Sequence, residues 1–220
     1  MSSVRCCRLN SVRARGKLYL ASSNPGKLGE YRALAATDGL GVTGTRDRCA
    51  DIELQPGFDA MPSFEEDAPT FAENAAGKAL HYSRLAEGFV FADDSGLVVP
   101  ALGGAPGVRS ARYVGANATD AERIGKLLGE LRGKKGPDRA AYFVCAIALA
   151  EGGRAIAIVT ARADGEILEV PRGSGGFGYD PVFYFPALQK TFAELSREEK
   201  NQHSHRGKAF RKLLGTFSVS

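Results

Sequence analysis

One uninterrupted apolar run constrains the fold more than any other part of this sequence. Residues 140–150, AAYFVCAIALA, contain no charged side chain and are typical of a β-strand that is buried on both faces. Two further strand-like pieces follow at 155–163 and 167–170. The Asp164-Gly165 pair between these two pieces predicts the turn of a β-hairpin.

A second stretch, 89–113, combines a strand-like beginning with acidic and glycine-rich segments. Its apolar start leads into the adjacent carboxylates Asp93 and Asp94, and we expect the strand to meet a turn there, at Ser95 and Gly96. Two carboxylates beside a glycine-rich loop suit a hard divalent cation and an anionic substrate. An ordinary turn that joins two strands is the simpler alternative, and these residues by themselves favour it.

Residues 17–27 predict a strand that runs directly into a helix. The strand is KLYLAS, Asn24 is expected to be the helix N-cap, and Pro25 is expected to be the first helical residue. Free N–H groups at that helix N-terminus, with Lys27 in the first turn, would form a seat for phosphate. A well-capped helix with a solvated lysine explains the same residues equally well. A P-loop is excluded, because Lys27 is followed by Leu28 and not by Ser or Thr.

Capping patterns predict three later helices. Their N-cap residues are Thr70, Thr119 and Ser204, and the first two helices are expected to end at Gly88 and Gly133.

An acidic cluster, Glu65-Glu66-Asp67, precedes the first of these helices. Such clusters usually belong to solvated loops. Glu66 therefore lies in the approach to a helix on which Asn74 and Lys78 are one turn apart.

The glycine-rich segment 173–181, GSGGFGYDP, contains the formal pattern G-x-G-x-x-G. A dinucleotide site is excluded, because that pattern needs a helix directly after it, whereas Pro181 and VFYF predict an extended segment. The remaining interpretation is a loop whose rings, Phe177 and Tyr179, could stack on a planar base. Core aromatic residues beside a glycine turn are the alternative.

The charge of the chain is concentrated at its beginning. The 220 residues carry a formal net charge of +4, and residues 1–17 contain five basic and no acidic side chains. Without those five, 24 basic side chains face 25 acidic ones, so we do not expect a nucleic-acid partner. We interpret residues 1–16 as a disordered or targeting extension and 17–220 as one domain.

The cysteines and the hydropathy pattern indicate an intracellular, non-membrane protein. The four cysteines, Cys6, Cys7, Cys49 and Cys145, form no C-x-x-C pair and no zinc pattern, which favours a reducing compartment. Cys145 is interpreted as a core residue. No apolar run approaches membrane-spanning length, and the expected location is cytoplasmic.

Five motifs resemble the inosine triphosphate pyrophosphatase family, and they occur in order from residue 17 onward. They are SSNPGK at 22–27, FEEDAPTFAENAAGKA at 64–79, FADDSGLVVPALGGAPGVRSARY at 91–113, GSGGFGYDPVF at 173–183 and LSREEKNQHSHRGKAF at 195–210. The resemblance implies an α/β fold of two lobes around a long mixed sheet flanked by helices. It also implies an active-site cleft between the lobes and a homodimer.

The resemblance further assigns roles to individual residues. Asp94 corresponds to the catalytic proton acceptor, and Glu66 and Asp94 correspond to the ligands of Mg²⁺, with Mn²⁺ possible. The residues alone leave open whether Glu65 or Glu66 faces the metal. The implied substrate-binding residues are Ser22, Ser23, Asn24, Pro25, Gly26, Lys27, Lys78, Ser95, Phe177, Gly178, Tyr179, Asp180, Lys200, His205 and Arg206.

The implied reaction is hydrolysis of ITP, dITP and XTP to the nucleoside monophosphate and pyrophosphate. Lysines, helix N–H groups and Mg²⁺ would neutralise the triphosphate, and a water activated by Asp94 would attack the α-phosphorus. Two alternatives stay open. One is a pyrophosphatase of related fold that acts on modified pyrimidine nucleotides, and the other is a nucleotide-binding module without turnover.

Overall fold

The computed structural model describes residues 17–38 and 51–216, and these residues form an α/β fold. The strands within these ranges are β1 (Lys17–Leu20), β2 (Asp51–Leu54), β3 (Phe89–Val98), β4 (Ala140–Glu151), β5 (Arg154–Ile167), β6 (Phe183–Phe185) and β7 (Lys190–Thr191). The α-helices are α1 (Pro25–Asp38), α2 (Phe71–Ser83), α3 (Asp120–Glu130), α4 (Arg197–His203) and α5 (His205–Thr216). The extension expected over residues 1–16 lies outside the described residues.

The strands form one mixed sheet in the order β2-β1-β3-β4-β5-β6-β7. Strand β1 is parallel to both β2 and β3, whereas β6 is antiparallel to both β5 and β7. The predicted mixed central sheet with flanking helices is therefore confirmed. Among the helices of the described ranges, none has the length and apolar character needed to cross a bilayer.

The chain divides into two compact units, each assembled from separate sequence segments. Unit 1 contains the residues up to Asp94, residues 146–160 and the residues from Gly207 onward. Unit 2 contains residues 95–145 and 161–206. The assignment of 17–220 to a single domain stays a prediction.

Small side chains bring α2 close to the strands of unit 1. Ala75 and Ala79 of α2 are fully buried in one apolar cluster with Ala92 of β3 and Ala146 of β4. Because alanine has no atoms beyond Cβ, the helix backbone can lie close to the sheet. A polar side chain on this face of α2, Asn74, therefore reaches β3 directly.

Aromatic rings form the core of unit 2. Phe183 of β6 packs against Phe143 of β4 and against Phe192, with both pairs of ring centroids 4.7 Å apart. Leu127 of α3 and Leu131 directly after it are fully buried in the same cluster. This core supports the loop at 173–181.

The predicted hairpin at Asp164-Gly165 is wrong, because β5 runs through both residues without a turn. A Cβ atom on Gly165 would lie 2.4 Å from the carbonyl oxygen of Tyr184, so this glycine allows strand β6 to come close. The tight turn lies earlier, at Gly152 and Gly153, whose φ angles of 55° and 77° only glycine adopts readily.

The predicted turn at Ser95 and Gly96 is also wrong, because β3 continues to Val98. A Cβ atom on Gly96 would lie 2.4 Å from the Ser110 Oγ atom. That hydroxyl accepts a hydrogen bond from the Leu97 N–H group at 2.9 Å. Gly96 thus leaves room for the Ser110 side chain, which supports the strand. Asp93 and Asp94 therefore lie inside β3 and not at its end.

The predicted helix starts are confirmed, whereas two predicted ends are several residues too late. Helix α1 begins at Pro25, and Thr119 forms a complete capping box with Glu122. Helix α2 ends at Ser83 and α3 at Glu130, because N–H groups beyond each helix end bond to carbonyls three residues back and tighten the last turn. Gly88 and Gly133 follow after these turns.

Candidate active site

The loop before α1 caps its own helix. The Asn24 Oδ1 atom accepts from the Gly26 N–H group at 2.9 Å, and the Lys27 N–H group bonds to the Asn24 carbonyl oxygen at 3.2 Å. Pro25, the first helical residue, has no N–H group. The expectation of free N–H groups is therefore wrong for these positions. Ser22 is buried, whereas Ser23, Asn24 and Gly26 are exposed.

The Lys27 side chain points to β3 and pairs with Asp93. The Nζ atom lies 2.9 Å from the Asp93 Oδ1 atom, and Asp93 is fully buried. Successive residues of a strand point to opposite faces, so Asp93 and its neighbour Asp94 have different surroundings. Asp93 is not among the predicted site residues, although this alternation was readable from the sequence.

Asp94 is buried and makes a hydrogen bond to a residue of α2. The Asn74 Nδ2 atom donates to the Asp94 Oδ2 atom at 2.9 Å. Burial raises the pKa of Asp94 to about 6, with a further contribution from the negative charge of Glu66. A carboxylate with such a pKa is largely ionised at neutral pH and still accepts a proton readily.

Glu66 and Lys78 form the second ion pair of this group. The Lys78 Nζ atom lies 2.5 Å from the Glu66 Oε1 atom, and Lys78 is buried on α2. Burial opposes the charged form of Lys78, but the charge and hydrogen bond of Glu66 outweigh burial, so its pKa is raised. Glu65 is exposed, whereas the negative charge of Glu66 contributes to the raised pKa of Asp94.

The acidic groups of unit 1 fit a hard divalent cation. Glu66 and Asp94 supply only oxygen atoms, and the charge of Glu66 opposes ionisation of Asp94, a repulsion that a cation would relieve. In residues 17–38 and 51–216, no group of three or more His, Cys, Asp or Glu side chains is arranged to hold a metal ion. A cation held by two carboxylates needs further oxygens from water or phosphate, as is common for Mg²⁺.

In unit 2, the ring of Phe177 is exposed and lies beside two cations. The Lys200 Nζ atom is 4.9 Å from the ring centroid, and the Arg206 guanidinium carbon is 5.6 Å from it. Arg206 also donates to the Ser95 Oγ atom at 3.0 Å. Such a ring offers a stacking surface that is surrounded by hydrogen-bond donors.

Two carboxylates fix the backbone of the loop that carries Phe177. The Asp180 Oδ2 atom accepts from the Phe177 N–H group at 2.9 Å and from Lys200 Nζ at 2.6 Å. The Asp120 Oδ2 atom, at the start of α3, accepts from the Gly178 N–H group at 2.6 Å. Asp120 lies far from the loop in sequence, and no motif pointed to it.

The side chains of Tyr179 and His205, two of the predicted substrate-binding residues, contact core residues of unit 2. The Tyr179 hydroxyl donates to the Ser110 carbonyl oxygen at 3.0 Å, and burial raises the pKa of Tyr179. The His205 ring stacks on Phe143, with ring centroids 4.7 Å apart. Both side chains therefore belong to the core of unit 2, and Tyr179 agrees with the alternative prediction of a core aromatic residue beside a glycine turn.

Comparison with known proteins agrees with the five motifs. Residues 18–216 match the family model described as the Ham1 family. A dITP/XTP pyrophosphatase of Geobacillus kaustophilus is 51% identical over 197 residues, which cover 90% of this chain and 92% of that protein. Another, of Gloeobacter violaceus, is 52% identical over 209 residues, 92% of this chain and 97% of that protein. The structure of a HAM1 protein from Coxiella burnetii matches with a TM-score of 0.79 at 43% identity, covering 93% of this chain and 99% of that one. The chain therefore belongs to the Ham1 family.

Proposed function

We propose that this protein hydrolyses the non-standard purine nucleoside triphosphates ITP, dITP and XTP to the nucleoside monophosphate and pyrophosphate. The observation that carries the proposal is the buried Asp94 carboxylate, whose pKa is raised to about 6 and which lies in one unit with two lysines, Lys27 and Lys78. The relatives from G. kaustophilus and G. violaceus are named dITP/XTP pyrophosphatases, which supports the same substrate class. The activity would cleanse the nucleotide pool.

The triphosphate is bound by unit 1 in this proposal. Lys27 and Lys78 supply positive charge, and each is already oriented by a carboxylate, Asp93 or Glu66. The loop Ser22-Ser23-Asn24-Pro25-Gly26 supplies polar groups, and a phosphate oxygen would replace the Asn24 side chain on the Gly26 N–H group that it now caps. Neutralisation of the phosphates lets an electron-rich oxygen reach phosphorus.

Glu66 and Asp94 would hold a divalent cation, for which we propose Mg²⁺, with Mn²⁺ able to replace it. Bound there, a cation supplies charge stabilisation to the leaving pyrophosphate. The oxygen-only donor set supports a hard cation but does not distinguish between these two metals.

Asp94 acts as the general base. Its carboxylate orients a water molecule and accepts a proton from it as the water oxygen bonds to the α-phosphorus. The bond between the α-phosphorus and the bridging oxygen breaks, and pyrophosphate leaves. The Asn74 amide holds one carboxylate oxygen during this step.

The purine base is recognised by unit 2. Phe177 stacks on the ring system, and Lys200 and Arg206 donate hydrogen bonds to the 6-oxo group. Adenine has a 6-amino group in that place, which cannot accept these hydrogen bonds. Ser95 and Asp180 orient the two cations, and Gly178 gives the loop its shape. Because the Tyr179 hydroxyl bonds to Ser110 and the His205 ring stacks on Phe143, we propose that these two residues contact the base through their backbone.

We also propose a cytoplasmic homodimer. The family resemblance supports this assembly, and the near-neutral charge of residues 18–220 supports small nucleotides over nucleic acid as partners. Light scattering on the purified protein measures the assembly directly, and a monomer mass would contradict the dimer.

A substrate panel tests the proposed activity. The protein is incubated with Mg²⁺ and ITP, dITP, XTP, ATP or modified pyrimidine triphosphates, and pyrophosphate and orthophosphate are quantified separately. We expect pyrophosphate from the first three at rates well above that for ATP. Orthophosphate release or equal rates on ATP would contradict the proposal. Preference for a pyrimidine would favour the related-fold alternative, and binding without turnover would favour a nucleotide-binding module.

A further inference from the structure

We propose that Asn74 is a positioning residue that fixes Asp94 relative to the loop that carries Glu66. The inference rests on the proposed function, in which Asp94 is the general base. Asn74 is fully buried in the second turn of α2, on the face that packs against β3. A fully buried amide needs hydrogen-bond partners, so its contacts show what it holds.

The side chain of Asn74 makes three hydrogen bonds with two residues. Its Nδ2 atom donates to the Asp94 Oδ2 atom at 2.9 Å and to the Ala68 carbonyl oxygen at 3.4 Å. Its Oδ1 atom accepts from the Ala68 N–H group at 2.9 Å. One side chain therefore binds both polar groups of Ala68 and, at the same time, one oxygen of Asp94.

These contacts allow only one orientation of the amide. If the amide were rotated by half a turn, Oδ1 would face the carboxylate of Asp94, and the NH₂ group would face the N–H group of Ala68. Both contacts would be repulsive. The backbone N–H and C=O groups of Ala68 thus keep the NH₂ group of Asn74 directed at Asp94.

These hydrogen bonds restrict the distance between the carboxylates of Glu66 and Asp94. Ala68 is two residues after Glu66, so holding its peptide restricts the loop from which Glu66 extends. Holding Oδ2 of Asp94 also fixes the direction of the other carboxylate oxygen. Loss of Asn74 should therefore impair the chemical step more than the binding of the triphosphate, which relies on Lys27 and Lys78.

The variant Asn74→Leu tests this inference, because leucine has nearly the same shape and makes no hydrogen bond. The matched control is Ser83→Ala on the same helix. Ser83 is also fully buried, accepts from the Gly153 N–H group at 3.0 Å and lies outside the proposed site. Two readouts are used: kcat and KM for ITP, and deuterium exchange of the amides at 65–70. If Asn74→Leu does not fold, Asn74→Ser, which places no apolar side chain against the Asp94 carboxylate, takes its place.

We expect the Asn74 variant to lower kcat about 10- to 100-fold, the range found for side chains that orient catalytic ligands, with KM within about twofold. Exchange of the Ala68 amide should accelerate. Ser83→Ala should keep the wild-type kcat and the wild-type exchange at 65–70. A wild-type kcat in the Asn74 variant, or equal losses in both variants, would overturn the inference while the proposed function stands.

Failure of the proposed function gives a different result. In that case the wild-type protein releases no pyrophosphate from ITP, and only the exchange readout decides. Faster exchange in the Asn74 variant alone then supports the hold on the loop, and unchanged exchange overturns it.

Discussion

The ion pair between Lys27 and Asp93 gives a quantitative prediction about stability. Asp93 is fully buried and its side chain lies 2.9 Å from Lys27 Nζ, whereas the Lys27 side chain keeps 14% of its exposure. In Lys27→Met, the Asp93 carboxylate loses this cation inside the protein. Breaking a buried pair in this way costs about 3–5 kcal/mol, because one charge is left without its partner.

For a chain of this length, each kcal/mol changes the melting temperature by about 2–4 °C. We therefore expect Lys27→Met to melt about 6–20 °C below the wild type. Adding Asp93→Asn should restore at least half of that loss, because the amide needs no cation. The matched control is Lys17→Met, which removes the exposed pair with Glu53 and should leave the melting temperature close to that of the wild type.

Thermal and urea unfolding followed by circular dichroism measure all four proteins. The reasoning is refuted if the double variant is no more stable than Lys27→Met, since the buried charge would then not be the cause. It is also refuted if Lys27→Met and Lys17→Met are equally stable.

Three further predictions concern the site. The pKa of Asp94 is raised from 3.8 to about 6 in the folded state. The protonated carboxyl therefore stabilises the fold fully below about pH 4, and this stabilisation of about 3 kcal/mol is lost as the pH rises through 6. Asp94→Asn should therefore raise the melting temperature at pH 7.5 in EDTA but not at pH 4, and an absent gain at pH 7.5 would disprove this; the variant should also lose turnover. Glu66→Gln should lower kcat/KM for ITP at least tenfold and Glu65→Gln less than twofold, and steady-state kinetics that rank them the other way would assign the metal to Glu65. Gly176→Ala should raise KM for ITP about tenfold, because its Cβ atom would lie 2.1 Å from the Asp180 Oδ2 atom at a φ of 73°; a wild-type KM would show that the loop adapts without cost.

The sequence predicted features that depend on neighbouring residues. The N-caps at Asn24, Thr70 and Thr119 hold in the structure, because capping involves side chains and N–H groups two or three residues apart. The long apolar run also predicted strand β4. Residues 145–150 are buried on both faces as expected, whereas Ala140 is exposed and Tyr142 and Val144 are half-buried.

The sequence did not predict features that depend on distant partners. Asp164-Gly165 and Gly152-Gly153 are both typical of turns. Only the position of β6 shows that Gly165 allows two strands to lie close together. Likewise, the different surroundings of Asp93 and Asp94 arise from Lys27 and Asn74, which are 66 and 20 residues away along the chain. Local patterns contain no information about such pairs.

The alternation of side chains along β3 makes its alignment with β1 indispensable. The parallel pairing of Leu20 with Phe91 sets which acidic residue meets Lys27. A deletion of one residue ahead of Asp93 would turn that side chain to the opposite face and present its neighbour to the lysine, without changing the composition of the site at all. A substitution within β3 leaves the other side chains on their faces of the sheet, whereas a change in the length of the strand places Asp94, the proposed general base, against Lys27.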